Sequence, residues 1–104
     1  MFGWGVSSVT VAQLADNLAE GKPVLLDVRE PYEFAAGHVK GARNIPLAQL
    51  GSKLSKLDPA AETYVICQSG NRSAAAVREM TRAGFTHVHN VKGGTSAWRG
   101  GLVR

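Results

Sequence analysis

The stretch Tyr64-Val65-Ile66-Cys67-Gln68-Ser69-Gly70-Asn71-Arg72-Ser73 decides the architecture. Its first four residues form an apolar run without alternation, the pattern of a strand covered on both faces, as in the middle of a parallel sheet. The run then gives way to small, polar and cationic residues. From Ser73 to Ala83 the helix propensity is high, and Gly84 ends it. A buried strand passing through a short polar turn into a helix is the repeating half-unit of an α/β sheet.

Outward from this stretch the same alternation recurs. Val24–Val28 is a second apolar run, interrupted only by Asp27, and reads as another strand buried on both faces. Thr10 with Gln13 forms a capping box ahead of Val11, Leu14, Ala15 and Leu18 at helical spacing, and Gly21 and Pro23 stop that helix. Pro31 opens a short helix ending at Gly37. A short strand is expected near Arg43–Ile45. After Pro46, the residues Leu47, Leu50, Leu54 and Leu57 lie on one face of a helix that Asp58-Pro59 terminates. His87–Val91 reads as a strand, and Gly94–Arg99 as a last short helix with Thr95 as its cap. The elements predict an open three-layer α/β sheet whose binding residues gather at the carboxyl ends of the strands.

The chain has 104 residues, of which 44% are hydrophobic and 19% charged, which fits one globular domain over 1–104 and excludes disordered and collagen-like classes. Cys67 is the only cysteine, so an internal disulfide, a CxxC redox pair and a cysteine-rich zinc site are all excluded. The charge is uneven. Residues 67–104 carry six cations against the single Glu79, whereas residues 1–66 carry six cations and seven anions. A basic half that begins at the cysteine favours small anions or an acidic partner, and no Lys/Arg run of the kind that binds nucleic acid is present. No segment is apolar enough to span a membrane, and Met1–Gly5 has no secretory-leader pattern. The expectation is a cytoplasmic protein, or a periplasmic one whose leader has been removed.

The turn at Cys67 carries the chemistry. Successive backbone N–H groups between a strand's carboxyl end and a helix's amino end converge on an anion, and the helix dipole adds to the attraction. Gly70 supplies the backbone freedom such a turn needs. The same field favours thiolate over thiol, so Cys67 is expected to be a nucleophile near neutrality rather than a small buried hydrophobe. Gln68, Ser69, Gly70, Asn71, Arg72 and Ser73 would bind the anionic substrate.

With these residues the chain resembles the rhodanese family of sulfurtransferases over nearly its whole length. Four segments carry the resemblance: Leu25-Leu26-Asp27-Val28-Arg29 with Glu33 and Phe34; Phe34–Pro46; the loop Cys67–Ser73; and Val91-Lys92-Gly93-Gly94 with Trp98. Lys40 stands where the second segment of the family also accepts proline. The resemblance implies a rhodanese-like three-layer fold, a five-stranded parallel sheet with helices on both faces. It also implies transfer of a sulfane sulfur from thiosulfate or a related anion to a thiol, cyanide or a protein acceptor, through a persulfide on Cys67. No cofactor is expected.

Other residues carry weaker expectations. Asp27, as a buried carboxylate, requires partners, with Arg72 a candidate, and Arg29 at the end of the same strand either recruits the anion or serves the surface. Arg72 either braces the loop or attracts the anion. His38 is expected to be a structural hydrogen-bonding residue. His87 and His89 share a strand face but have no third convergent ligand, so no metal site is expected. Trp98 and Phe85 are expected in the core; Phe2 and Trp4 lie in a tail without a readable pattern. Two alternatives stand beside the sulfurtransferase. Phosphatases and arsenate reductases that resemble this fold have five residues, not four, between cysteine and arginine, and a shorter turn makes a cradle for one sulfur rather than for a phosphate. A non-catalytic sulfur-carrier or protein-binding module is the other, and the complete Cys67 loop argues against a module that has lost its chemistry.

Overall fold

The computed structural model describes residues 6–104. The expected tail residues Phe2 and Trp4 lie outside them. Five parallel strands form one sheet in the order β1-β5-β4-β2-β3: β1 (Ser8–Val9), β2 (Val24–Asp27), β3 (Arg43–Asn44), β4 (Thr63–Ile66) and β5 (Val88–Val91). Among the described residues no helix is long and apolar enough to cross a membrane.

The side-chain period of two splits the core between the sheet's faces. Leu26, Val28, Val65, Cys67 and Val88 join Leu50, Ala76, Val77 and Met80 on one side, where α3 (Leu50–Lys53) and α4 (Asn71–Arg82) pack. Leu25, Tyr64, Ile66 and Val91 join Leu14 on the other, against α1 (Val11–Glu20). These inward side chains are almost wholly removed from water, and each buried Leu, Ile, Val or Met among them contributes on the order of 1.5–3 kcal/mol of transfer free energy. The three-layer expectation holds. Thr10 and Gln13 form the reciprocal capping box of α1, and α2 (Pro31–Ala36) begins at Pro31.

Three expectations need correction. The segment after Pro46 is not one helix: a 3-10 turn at Leu47–Gln49, α3, and a second 3-10 turn at Leu54–Lys56 follow one another. Gly51 and Ser52 are poor helix formers, and only the single turn that holds them is α-helical, while Leu47, Leu50, Leu54 and Leu57 still face the core. Next, α4 starts at Asn71 rather than at Ser73. Finally, α5 (Gly94–Ala97) is capped by Gly93 at φ +79°, not by Thr95. The fifth strand, unassigned by sequence patterning, is the two-residue β1 immediately before the capping threonine.

Phe85 is buried as expected, whereas Trp98 is half-buried and donates its indole N–H to Gly101 O. His38 has the expected structural role, with Nδ1 2.9 Å from Phe34 O and its ring stacked on Phe34 at 3.7 Å.

Candidate active site

Cys67 follows β4 directly, and its side chain falls on the α4 face with Val65. The first turn of a helix has N–H groups without intrahelical partners. Gly70 is the cap residue of α4, at φ +106°, so Ser73 occupies the third helical position. Its free N–H points at Cys67 Sγ at 3.3 Å, and the Gly70 N–H meets the same sulfur at 3.1 Å. The sulfur thus takes the place of a helix-capping oxygen. Its third neighbour is Ser73 Oγ at 3.3 Å. Burial, the largest influence, pushes the Cys67 thiol up. The hydrogen bonds from the Ser73 hydroxyl and from the Ser73, Gly70 and Ser69 N–H groups outweigh it, so the net displacement is downward.

The Cys67 and Gln68 carbonyls are engaged behind the loop. Thr95 N donates to Cys67 O at 2.9 Å and Ser96 N donates to Gln68 O at 3.0 Å, so the first turn of α5 is docked against the back of the loop. This docking requires glycine at 94: φ there is +56°, and a Cβ would overlap the carbonyl oxygens of Cys67 and Gln68.

The cations sit differently from the sequence-based expectations. Asp27 does not pair with Arg72. It lies on the sheet face of Leu25, opposite α4, and Arg29 turns back over it, placing Nη2 2.8 Å and Nε 3.0–3.1 Å from the carboxylate. Arg29 is neither a surface residue nor free to recruit an anion: it is 6% exposed, and its Nη2 also donates to Gly37 O at 2.8 Å. Arg72 makes a two-pronged ion pair with Glu33 of α2, at 2.7 and 3.0 Å. Held by the Arg72 hydrogen bond, and despite an opposing effect of burial, the Glu33 carboxyl is lowered to about 2. Arg72 therefore braces the loop against α2.

Gln68 and Ser69 are exposed, as is Asn71 at the helix start. Gln68 lines a shallow cleft of about 440 Å³ with Arg29, Tyr32, Glu33, Ser96 and Leu102, and Tyr32 and Leu102 are two of the large apolar side chains most open to water. Sequence reading missed Asn90, although its signal was there. Alternation along β5 puts Asn90 on the face of Val88, toward α4, and it is 6% exposed with its Oδ1 accepting from Ser73 Oγ. His87 and His89 hold no shared ligand position: His87 Nδ1 meets Thr86 Oγ1, while His89 meets Ser7 and Glu62. Among the described residues no three His, Cys, Asp or Glu side chains converge.

The chain is similar to YqhL of Bacillus subtilis, with 43% identity over 79 residues that make up 76% of this chain and 63% of that protein. It is similar to the thiosulfate sulfurtransferase GlpE of Pseudomonas putida, 38% identical over 76 residues, 73% of this chain and 69% of GlpE. The chain thus spans under two thirds of one of these curated relatives and just over two thirds of the other. The crystal structure of a rhodanese-like domain protein from Staphylococcus aureus superposes with a TM-score of 0.86 at 34% identity, covering 93% of this chain and 96% of that one. Residues 10–100 match the rhodanese-like domain itself, and the chain belongs to the rhodanese family.

Proposed function

We propose that the protein is a sulfurtransferase of one domain that carries a sulfane sulfur on Cys67 from an anionic donor of the thiosulfate type to a thiophilic acceptor. The observation that carries this reading is the convergence of the Gly70 and Ser73 N–H groups on Cys67 Sγ. In the first half-reaction the Cys67 thiolate attacks the outer sulfur of thiosulfate. A new S–S bond forms, the old one breaks, and its electron pair leaves with sulfite. In the second, a thiolate or cyanide attacks the outer sulfur of the persulfide and Cys67 departs as thiolate. Charge moves from one sulfur to the next, and donors fixed in the turn stabilise it without reorganising. Gln68, Ser69 and Asn71, at the open side of the turn, would contact the donor. No cofactor takes part, and the cleft beside Gln68 is the approach for a small thiol or a protein acceptor.

The phosphatase reading is disfavoured by the tightness of the turn, which brings its donors to a single sulfur atom, and by Arg72, whose guanidinium is engaged by Glu33. Incubation with thiosulfate should add one sulfur atom to the intact mass, and cyanide should remove it as thiocyanate. Cys67→Ser should abolish both. Thiocyanate production by that variant at the parent rate would overturn the assignment. Persulfide formation should rise with pH through a thiol ionisation below the ordinary cysteine value.

A further inference from the structure

Behind Cys67 stands a chain of two buried polar side chains: Cys67 Sγ is 3.3 Å from Ser73 Oγ, which is 2.5 Å from Asn90 Oδ1. A hydroxyl has one proton. It cannot serve Asn90 and the sulfur at once, and Asn90 Oδ1, as an acceptor, competes for it.

We infer that Asn90 is a positioning residue which holds the Ser73 hydroxyl away from the sulfur while Cys67 is a thiol and releases it when Cys67 ionises. In the resting state the thiol donates to Ser73 Oγ and Ser73 donates to Asn90, so every buried polar atom of the chain is paired. On ionisation the thiol proton leaves to solvent and the sulfur becomes an acceptor. The Ser73 hydroxyl then turns to it, because a hydrogen bond to an anion is roughly twice as strong as one between neutral groups. When the sulfur bonds to a transferred sulfur, the charge moves outward and the hydroxyl returns to Asn90. Asn90 thereby keeps Cys67 a stronger base and nucleophile than its N–H groups and Ser73 alone would make it. The remaining charges around the sulfur come from other elements: Arg72 of α4, paired with Glu33 of α2, and the Asp27–Arg29 pair at the end of β2. None of these charged side chains hydrogen-bonds to Asn90 or to the Ser73 hydroxyl, so their field is common to all variants below.

This inference rests on Cys67 being the nucleophile of the proposed function, yet its test needs no sulfur donor. The rate of Cys67 alkylation by iodoacetamide, followed against pH, gives the thiol pKa directly. Asn90→Leu should lower it by about one unit, roughly tenfold more thiolate at a given pH below the midpoint. Ser73→Ala should raise it, and the double variant should match Ser73→Ala, because Asn90 acts only through Ser73. An unchanged or raised pKa in folded Asn90→Leu would overturn the inference. Should that variant not fold, Asn90→Asp, nearly the same size and a stronger acceptor, decides: its pKa should rise, and most of the rise should vanish with Ser73→Ala. A rise that Ser73→Ala leaves intact means plain charge repulsion and also overturns it. If thiosulfate proves a substrate, Asn90→Leu at pH above both pKa values should form persulfide about threefold more slowly and discharge it faster. Absence of sulfur transfer in the parent, with the alkylation shifts as expected, would sink the proposed function alone.

Discussion

The two ends of β4 and β5 carry polar clusters of similar make-up that behave differently. At the carboxyl end, Cys67 and Asn90 face α4 and meet its Ser73, and the loop donors aim at one atom. At the amino end Asn17 donates to the Tyr64 hydroxyl at 2.8 Å, and Tyr64 donates to Glu62 at 2.9 Å. His89 lies 3.3 Å from Glu62 and 2.6 Å from Ser7. Burial, then Glu62, pushes the Tyr64 phenol up, away from reactivity. A cavity of about 440 Å³ adjoins this end, the same size as the cleft beside Gln68. Volume therefore does not tell the ends apart. Direction does: the amino-end groups pair off among themselves, whereas at the carboxyl end the N–H groups of a helix start converge on a sulfur that can exchange bonds.

The hardest blow to the carboxyl end is Asp27→Ala, which strands the Arg29 guanidinium in a buried position. Removing one partner of such a pair costs about 3–5 kcal/mol. An unfolding free energy from chemical denaturation lowered by less than about 1 kcal/mol would mean Arg29 finds another partner. Gly94→Ala comes next: a positive φ alone costs a non-glycine residue about 1–2 kcal/mol, and the overlap with the loop carbonyls adds to it. We expect a lowered melting temperature and a Cys67 thiol displaced upward, readable by alkylation against pH. A variant with parent-like thiol titration would show that the α5 docking does not shape the loop.

The Glu33–Arg72 brace should give a smaller, pH-dependent effect. A carboxyl whose pKa is depressed by folding, here from 4.5 to about 2, contributes stability that is complete above 4.5 and disappears as pH falls toward 2. Because Arg72 is about one-third exposed, screening limits the gain to about 1 kcal/mol. Denaturation of Glu33→Gln and the parent should differ at pH 6 and converge near pH 2; a constant difference would place the effect in packing. The smallest effect belongs to the amino end. Tyr64→Phe should cost about 1 kcal/mol and leave sulfur transfer within about twofold. A tenfold loss of transfer with an unchanged melting curve would show that the two ends are coupled.

Sequence reading recovered what local chemistry specifies: the capping box at Thr10, the strands around Leu25 and Val65, and the strand-to-helix turn at Cys67. It failed where a distant partner decides. Ser8–Val9 becomes a strand because β5 offers its edge, and two residues carry no pattern. Thr95 looked like a cap, but its N–H is taken by Cys67 O and the cap is Gly93. Asp27 needed a cation, and the pattern did not show that strand alternation turns it from Arg72 and leaves Arg29 to fold back. Asn90 was legible in principle, being a polar residue inside an apolar strand.

The docking of α5 on the loop also bears on when the protein acquires its chemistry. Cys67 leaves the ribosome well before Gly94, Thr95 and Ser96, and until those residues arrive nothing engages the Cys67 and Gln68 carbonyls behind the loop. Over that interval the loop has its own N–H donors beside the sulfur but not the α5 partners of its two carbonyls. The strand-to-helix turn is thus written early in the chain and fastened from behind by a segment made after it.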